Sequence, residues 1–465
     1  MKRIKIPLVT LLLVGALAGC KKENLDIIPT NIFEASRAFV SVGDLEQGLL
    51  GAYASYSAEN TMYINGLLSD ELKISNENRG QGQFEYKFQY NSGTNSFGYN
   101  AFYVTVNRAN RVLEAMPGVV TNNAIDEATK NGIKAEALAL RAYAHFELLQ
   151  RFAPSYNPSA LGVTYIDYVF INDKLARQTV AENLGKIEQD LAAARAGTIP
   201  NSPFITTGFG NIRLSKAVVA GMQARVALYK RDWANAATFA TDAITLAAKP
   251  LATGQDFKNI WLDASDSEVM LRFRRIGTGT GTLFQDVNGD VFFEPSEKVK
   301  QLFNRTTDVR FDAYFLVGNI AGDTALIRKF YTSSRGPKIV DPKFMRTAEM
   351  YLIRAEARAE QNDLAGAAAD INTLRAARIA GYTNVSFPGK DEAITNILNE
   401  RFKELAFEGF RYFDLKRRNL PVTRLASDVQ STQWISLPAN DFKFTLPIPQ
   451  TELFANPNAT QNPGY

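Results

Sequence analysis

Apolar residues return along most of this chain at helical spacing. Leu45, Leu49, Ala52 and Tyr56 fall on one face of a helix predicted to begin near Asp44. A second helix is predicted from Tyr99 to Met116, where Pro117 and Gly118 break the pattern. A longer one covers about 127 to 151, with Ala135, Leu138, Ala142, Phe146 and Leu149 as its apolar stripe. Lys216 to Lys230 reads as one helix, and Asp232 caps another containing Trp233, Ala236, Phe239 and Ala243.

That last spacing carries architecture. A cap, an aromatic, a small residue, an aromatic and a small residue stand at offsets 0, 1, 4, 7 and 11 from Asp232. This is the second half of a tetratricopeptide repeat, in which alanines let two helices approach while the rings fill the groove beside them. Asp363, Leu364, Ala367, Asp370 and Leu374 repeat the offsets after a helix predicted from Met345 to Glu360. The expected fold class is mainly α: antiparallel helix pairs stacked as a short superhelix, with Trp233 in its core. Three stretches break the period. Residues 69–98 are polar, glycine-spotted and rich in Asn, Gln, Phe and Tyr. Residues 250–342 mix Gly, Pro and aromatics with short strand-like runs such as Val269 to Phe273, and 420–465 is proline-rich loop. None could fold alone, so together they are expected to form one irregular lobe supported by the helices.

Composition narrows the chemistry. Cys20 is the only cysteine, and it follows a positive start (Lys2, Arg3, Lys5), an apolar run from Leu8 to Ala18, and Gly19. This pattern resembles a bacterial lipobox, with the run too short to stay in a bilayer, so residues 1–19 read as a signal and Cys20 as the lipidation site. Several acyl chains give stable anchoring. With the signal's three cations removed, the formal charge falls from +4 to +1, so the basic balance is no argument for nucleic acid. Lys21 at the position after the cysteine resembles export to the outer membrane, and Glu23 with Asp26 is consistent with surface display. No later stretch approaches the ~20 apolar residues of a membrane span. His145 is the only histidine and lies in a strongly helical stretch, which favours a packing role over a catalytic one. Gly277 to Gly281 reads as a flexible loop and not a phosphate cradle. Neither a metal nor a cofactor is expected.

An ordered set of motifs resembles the SusD/RagB family of outer-membrane nutrient-binding lipoproteins over nearly the full length after the signal. They are Leu25 to Pro29; Ser69-Asp70-Glu71; Tyr99 to Asn110, with Tyr99 where Trp is usual; Ala135 to Ala137 with Leu140 to Ala142; and Arg346 to Ala357. Glu400-Arg401, Glu404-Leu405, Glu408-Gly409, Arg411 and Asp414-Leu415 follow, then Leu446 to Pro449, Asn456 to Asn458 and Gln461 to Tyr465. The resemblance implies about four tetratricopeptide-like helix pairs cradling an irregular ligand-binding lobe. It also implies a SusC-like TonB-dependent transporter as partner and an oligosaccharide as ligand, with no reaction catalysed. The expected organisation is a signal over 1–19, an anchor and tether over 20–40, and one domain over 41–465. In that domain the helix pairs lie roughly over 99–248 and 342–418, and the lobe is drawn from 60–98, 250–341 and 420–465.

Sugars present apolar C–H faces fringed by hydroxyls, so a site needs aromatic rings with Asn, Gln, Asp or Arg at the rim. Asn76, Asn78, Arg79, Gln81, Gln83, Phe84 and Tyr86 form the first candidate cluster. Phe284, Asp286, Asn288 and Phe292 form the second, which in the family faces the first. Trp261 and Trp434 read as packing residues. Glu349, Glu356, Glu400, Arg401, Glu404, Glu408, Arg411 and Asp414 stand at helical spacings. They read as exposed register-setting ion pairs of about 0–1 kcal/mol, which disfavours a carboxylate glycosidase. Peptide capture and a scaffold without a ligand remain as the other readings.

Overall fold

The computed structural model describes residues 38–197, 211–277, 279–286, 288–317 and 326–465. Cys20, the signal and nearly all of the tether lie outside the described residues. Helix α1 is Val42–Ser55, started by a reciprocal cap between Ser41 and Asp44. Then come α2 (Ala58–Leu68), α3 (Tyr99–Ala115), α4 (Ala124–Phe152, capped by Asn123) and α5 (Val180–Gly197). Ser215 caps α6 (Lys216–Lys230), and Asp232 caps α7 (Trp233–Ala247) by accepting the Asn235 N–H. After α8 (Gly254–Trp261) follow α9 (Thr347–Glu360), α10 (Leu364–Arg378, capped by Asp363), α11 (Lys390–Glu404) and α12 (Arg411–Arg417).

These helices form a mainly α superhelix. Each packs on the next in order: α1 on α3, α3 on α4, then α5, α6 and α7, with α7 against α9 and α9 against α10 and α11. The alanines of the repeat pattern make the close contacts. Ala236, Ala240 and Ala243 of α7 and Ala348, Ala355 and Ala359 of α9 are all fully buried. Trp233 and Phe239 flank this seam half-buried; a ring beside a helix crossing, unlike an alanine in it, keeps one edge in water. Gly221 of α6 is required by proximity, since a Cβ there would meet the Met345 sulfur at 2.2 Å.

Two antiparallel strand pairs tie the lobe to the helices. β1 (Leu72–Ile74) pairs antiparallel with β3 (Phe293–Pro295), Leu72 opposite Pro295 and Ile74 opposite Phe293. β2 (Val269–Arg272) pairs antiparallel with β4 (Lys343–Arg346), whose end leads into α9. Leu67, Leu72, Trp261, Phe284, Phe293, Tyr314, Phe330 and Phe407 make a separate core beneath these strands. The expected single lobe takes up only the first part of the C-terminal stretch. Leu437, Phe444, Leu446 and Ile448 belong to the core of the helices, and the Leu446 N–H bonds the Arg151 carbonyl at 2.9 Å. Extended chain with unpaired backbone donors is satisfied there by the exposed carbonyls at the end of α4.

The acidic and basic motif residues pair as expected, but inside the protein and not on its surface. Arg346 binds Glu268 (2.5 Å), Glu404 (2.8 Å) and Glu408 (2.7 Å); Arg378 binds Glu268 and Glu404; Arg310 binds Glu400 (2.6 Å) and Glu404. Arg225 holds Glu349, Arg417 holds Glu356, Arg401 holds Asp414 and Arg411 holds Asp70, all at 3.0 Å or less. Helical spacing reveals that such groups meet; it does not reveal that the lobe covers them. The pairs therefore act as a desolvated network joining α9–α12 to the lobe, where loss of one partner is far costlier than at a surface.

Candidate functional site

The candidate loops are held by the β1–β3 pairing. Beyond β1 the chain turns through Arg79 (φ +53°), Gly80 (φ +84°) and Gly82 (φ +58°), a run of left-handed positions that doubles the backbone on itself. Asn78 is buried inside this turn. Its Nδ2 donates to the carbonyls of Gln81 and Phe292, each at 2.9 Å, and its Oδ1 accepts from Gln83 Nε2 at 2.8 Å. Across the strand pair, Ser75 N–H bonds the Phe292 carbonyl and Val291 N–H bonds Glu77. Arg79 reaches over to form ion pairs with Asp286 and Asp290.

Asp286 closes the facing loop. Its carboxylate accepts backbone N–H groups from Asn288 (2.8 Å), Gly289 (2.8 Å) and Asp290 (3.0 Å). Burial opposes ionisation, but these donors outweigh it and hold the carboxyl below its usual range. Such a group is a poor proton donor near neutrality.

The rings divide. Phe84 is 58% exposed, Phe292 is half-buried, and Asn288 is exposed. Tyr86 and Phe284 instead belong to the core. Gln83–Tyr86 is a single helical turn, and residues two apart on a turn point to opposite sides, so exposing Phe84 buries Tyr86. The Tyr86 hydroxyl lies against the carbonyls of Asp428 (2.8 Å) and Leu72 (3.2 Å), and burial pushes it up to about 12. Phe284 stacks on Tyr63 at 6.0 Å and leans on Phe330, behind the surface it was expected to line. The two clusters thus meet through Asn78, Arg79, Asp286 and Phe292, while the outward face is Arg79, Gln83, Phe84, Asn288 and Phe292.

Trp434 joins that face. Lys87 takes the Gln83 side-chain oxygen at 2.5 Å and stands over the half-buried Trp434 ring at 4.4 Å. Trp434 was expected as a packing residue and is only half-buried; the polar run Ser431, Thr432 and Gln433 before it is the feature that could have marked it. Arg424 fixes the whole corner from below. Its guanidinium donates to the carbonyls of Leu67, Ser69, Tyr86 and Trp434, and lies 3.7 Å from the Tyr86 ring. The surface offers apolar ring area beside amide and cationic donors, a pattern suited to holding a ligand.

His145 is structural. Its Nδ1 donates to the Arg141 carbonyl (2.9 Å), its Nε2 accepts the Ile166 N–H (3.0 Å), and its ring stacks on Tyr165 at 3.9 Å. Burial lowers it to about 3, so it stays neutral. Trp261 is also core, with Lys329 held 4.2 Å from its ring. Among the described residues no cluster of His, Cys, Asp and Glu could hold a metal ion, and no helix is long and apolar enough to cross a membrane.

Residues 323–465 match a family model described as the SusD family. Residues 35–228 match another described as "Starch-binding associating with outer membrane". The SusD-like protein P2 of Formosa agariphila is 26% identical, with all of both chains covered. A putative sugar binding protein from Bacteroides vulgatus superposes with a TM-score of 0.80 at 25% identity, over 92% of this chain and 99% of that one. A laminarin-binding SusD-like protein shares the fold with a TM-score of 0.69 at 20% identity, over 92% of this chain and all of its own.

Proposed function

This chain belongs to the SusD/RagB family, and on that premise we propose that it captures an oligosaccharide at the cell surface and delivers it, uncut, to a SusC-like TonB-dependent outer-membrane transporter. Cys20 is the lipid anchor in this reading, and the loop surface between β1 and β3 is the receptor face. The observation that carries it is Phe84, exposed at 58% on the turn that follows Gln83, in the same loop corner as the Arg79 ion pairs and the Lys87–Trp434 contact. An exposed ring with hydrogen-bonding groups near it offers a stacking face together with polar partners at its edge. A sugar ring, apolar on its face and hydroxylated at its edge, matches both parts. Arg79, Gln83, Phe84, Asn288, Phe292 and Trp434 are the proposed contacts, with Asn78 and Asp286 positioning them. The laminarin-binding protein of the same fold makes laminarin the first ligand to try.

Isothermal titration of the soluble domain against laminarin and starch oligosaccharides, with a peptide panel alongside, tests the reading. Saturable glycan binding that weakens in Phe84→Ala is expected, with no reducing ends released. Peptide binding without glycan binding, or accumulation of cleavage products, would overturn it. Co-purification with the transporter from outer membranes, lost in Cys20→Ala, checks delivery and anchoring.

A further inference from the structure

Helix α3 carries a second surface that the loop site does not use. Tyr99, Tyr103 and Asn107 rise along one face of it at four-residue spacing. They meet Phe170 and Asp173 from the α4–α5 connection and Glu452 from the C-terminal stretch, enclosing an open groove of about 260 Å³. The rings form an apolar wall: Tyr103 meets Tyr99 edge-on at 4.9 Å and Phe170 at 6.3 Å. Tyr103 is fixed by donating its hydroxyl to the Thr164 carbonyl at 2.8 Å.

The groove carries two carboxylates, Asp173 and Glu452, and one unmet acceptor. Asn107 Oδ1 is buried without a hydrogen-bond partner, an unmet acceptor of the kind that native interiors rarely leave. Glu452 gives one carboxylate oxygen to the Asn456 amide at 2.9 Å. Asp173 stands on the wall from the α4–α5 connection as the second carboxylate. Among the described residues no lysine or arginine lines the groove. Arg177, whose charge reaches Tyr99, has its guanidinium engaged by the carbonyls of Gly162, Phe152, Leu161 and Thr460. A fitting ligand must therefore bring donors and an apolar face, and must carry no negative charge, because two carboxylates would repel one. The volume lies just below the usual range for small-molecule pockets, enough for a sugar unit and too little for a long oligomer.

We infer that this groove is a second carbohydrate subsite, which holds one neutral sugar unit through hydroxyl donors to Asn107 and Glu452 while its C–H face rests on the tyrosine wall. It lies on the helices and not on the loop lobe, so it stands or falls separately from the proposed receptor face. A receptor with two such points would hold one polymer at both.

The test uses the soluble domain with neutral maltohexaose and laminarihexaose, and with oligogalacturonate as the anionic control. Asn107→Leu fills the groove and removes the acceptor; Glu452→Gln is the gentler second variant if the first lowers the melting temperature. Expected are two sites by titration, sugar density beside Tyr103 in soaked crystals, and a loss of about tenfold or more at one site in either groove variant, with that site retained in Phe84→Ala. A single site abolished by Phe84→Ala and untouched by both groove variants overturns the groove and leaves the loop reading intact. Binding lost in the groove variants and unchanged in Phe84→Ala supports the groove and sinks the loop reading. Equal affinity for oligogalacturonate, peptide in place of sugar, or no binding of any probe overturns the groove proposal.

Discussion

The Asn78 side-chain amide donates to the Phe292 carbonyl at 2.9 Å, joining stretches of chain 214 residues apart. The same amide braces its own turn through Gln81 and Gln83, so one buried residue sets the relation between the two candidate loops. Asn78→Ala leaves two carbonyls without their donor and is expected to cost about 1–3 kcal/mol. Glycan affinity should fall with it, although Asn78 itself is shielded from any ligand. Urea denaturation and titration on the same variant check both; unchanged affinity would separate the loops from binding.

Phe84 and Tyr86, two residues apart on one turn, should behave oppositely. Phe84→Ala removes an exposed ring and should leave stability within about 0.5 kcal/mol while weakening glycan binding. Tyr86→Phe removes a buried hydroxyl from the Asp428 and Leu72 carbonyls and should cost about 1–3 kcal/mol. Thermal melts with parallel titrations decide the matter, and equal melting losses in both variants would contradict the division of faces.

The superhelix was legible because its signals are local. Asp232 and Asp363 cap their helices where the pattern placed them, and Lys216–Lys230 is a helix at the predicted bounds. The candidate surface was legible in composition but not in direction. Alternating aromatic and polar residues at 83–86 look like an open rim, yet a helical turn sends alternate side chains to opposite sides. Long-range burial was illegible. Spacing along α11 cannot show that Glu404 meets arginines from residues 310, 346 and 378 in the buried interior. The α3 groove has the same origin, since its walls come from residues near 100, 170 and 452 and exist only once the C-terminal stretch lies on the helices.

Glu404 sits at the centre of the buried ionic network, and three guanidiniums hold its carboxyl well below the usual range despite burial. Glu404→Gln leaves those cations undercompensated and is expected to cost about 3–5 kcal/mol. Arg346→Met should cost a similar amount by stranding Glu268, Glu404 and Glu408. Combining the two should cost less than their sum, because each removes part of the other's unpaired charge. Chemical denaturation of the two singles and the double gives the coupling; strict additivity would mean that the groups do not act as a network.

Glu71 gives a pH dependence of opposite sign to the salt-bridged carboxylates. It is fully buried, with Oε1 accepting the Phe407 N–H at 2.9 Å and Oε2 lacking a partner. Burial pushes its carboxyl up to about 8, against the Phe407 N–H and with the neighbouring Asp70 charge adding to the rise. In the unfolded chain it releases its proton near the ordinary 4.5. Between these values the folded state holds a proton that the unfolded state has lost, so this group's contribution is fully present below pH 4.5 and disappears as pH climbs through about 8. The slope is at most one proton's worth, ~1.4 kcal/mol per pH unit. Glu71→Gln keeps the acceptor for Phe407 and cannot ionise, so its stability should lose that slope and gain on the wild type as pH rises from 5 toward 8. Urea denaturation of both proteins across that range measures the gap; stability curves that run parallel would show that Glu71 is already ionised inside the fold.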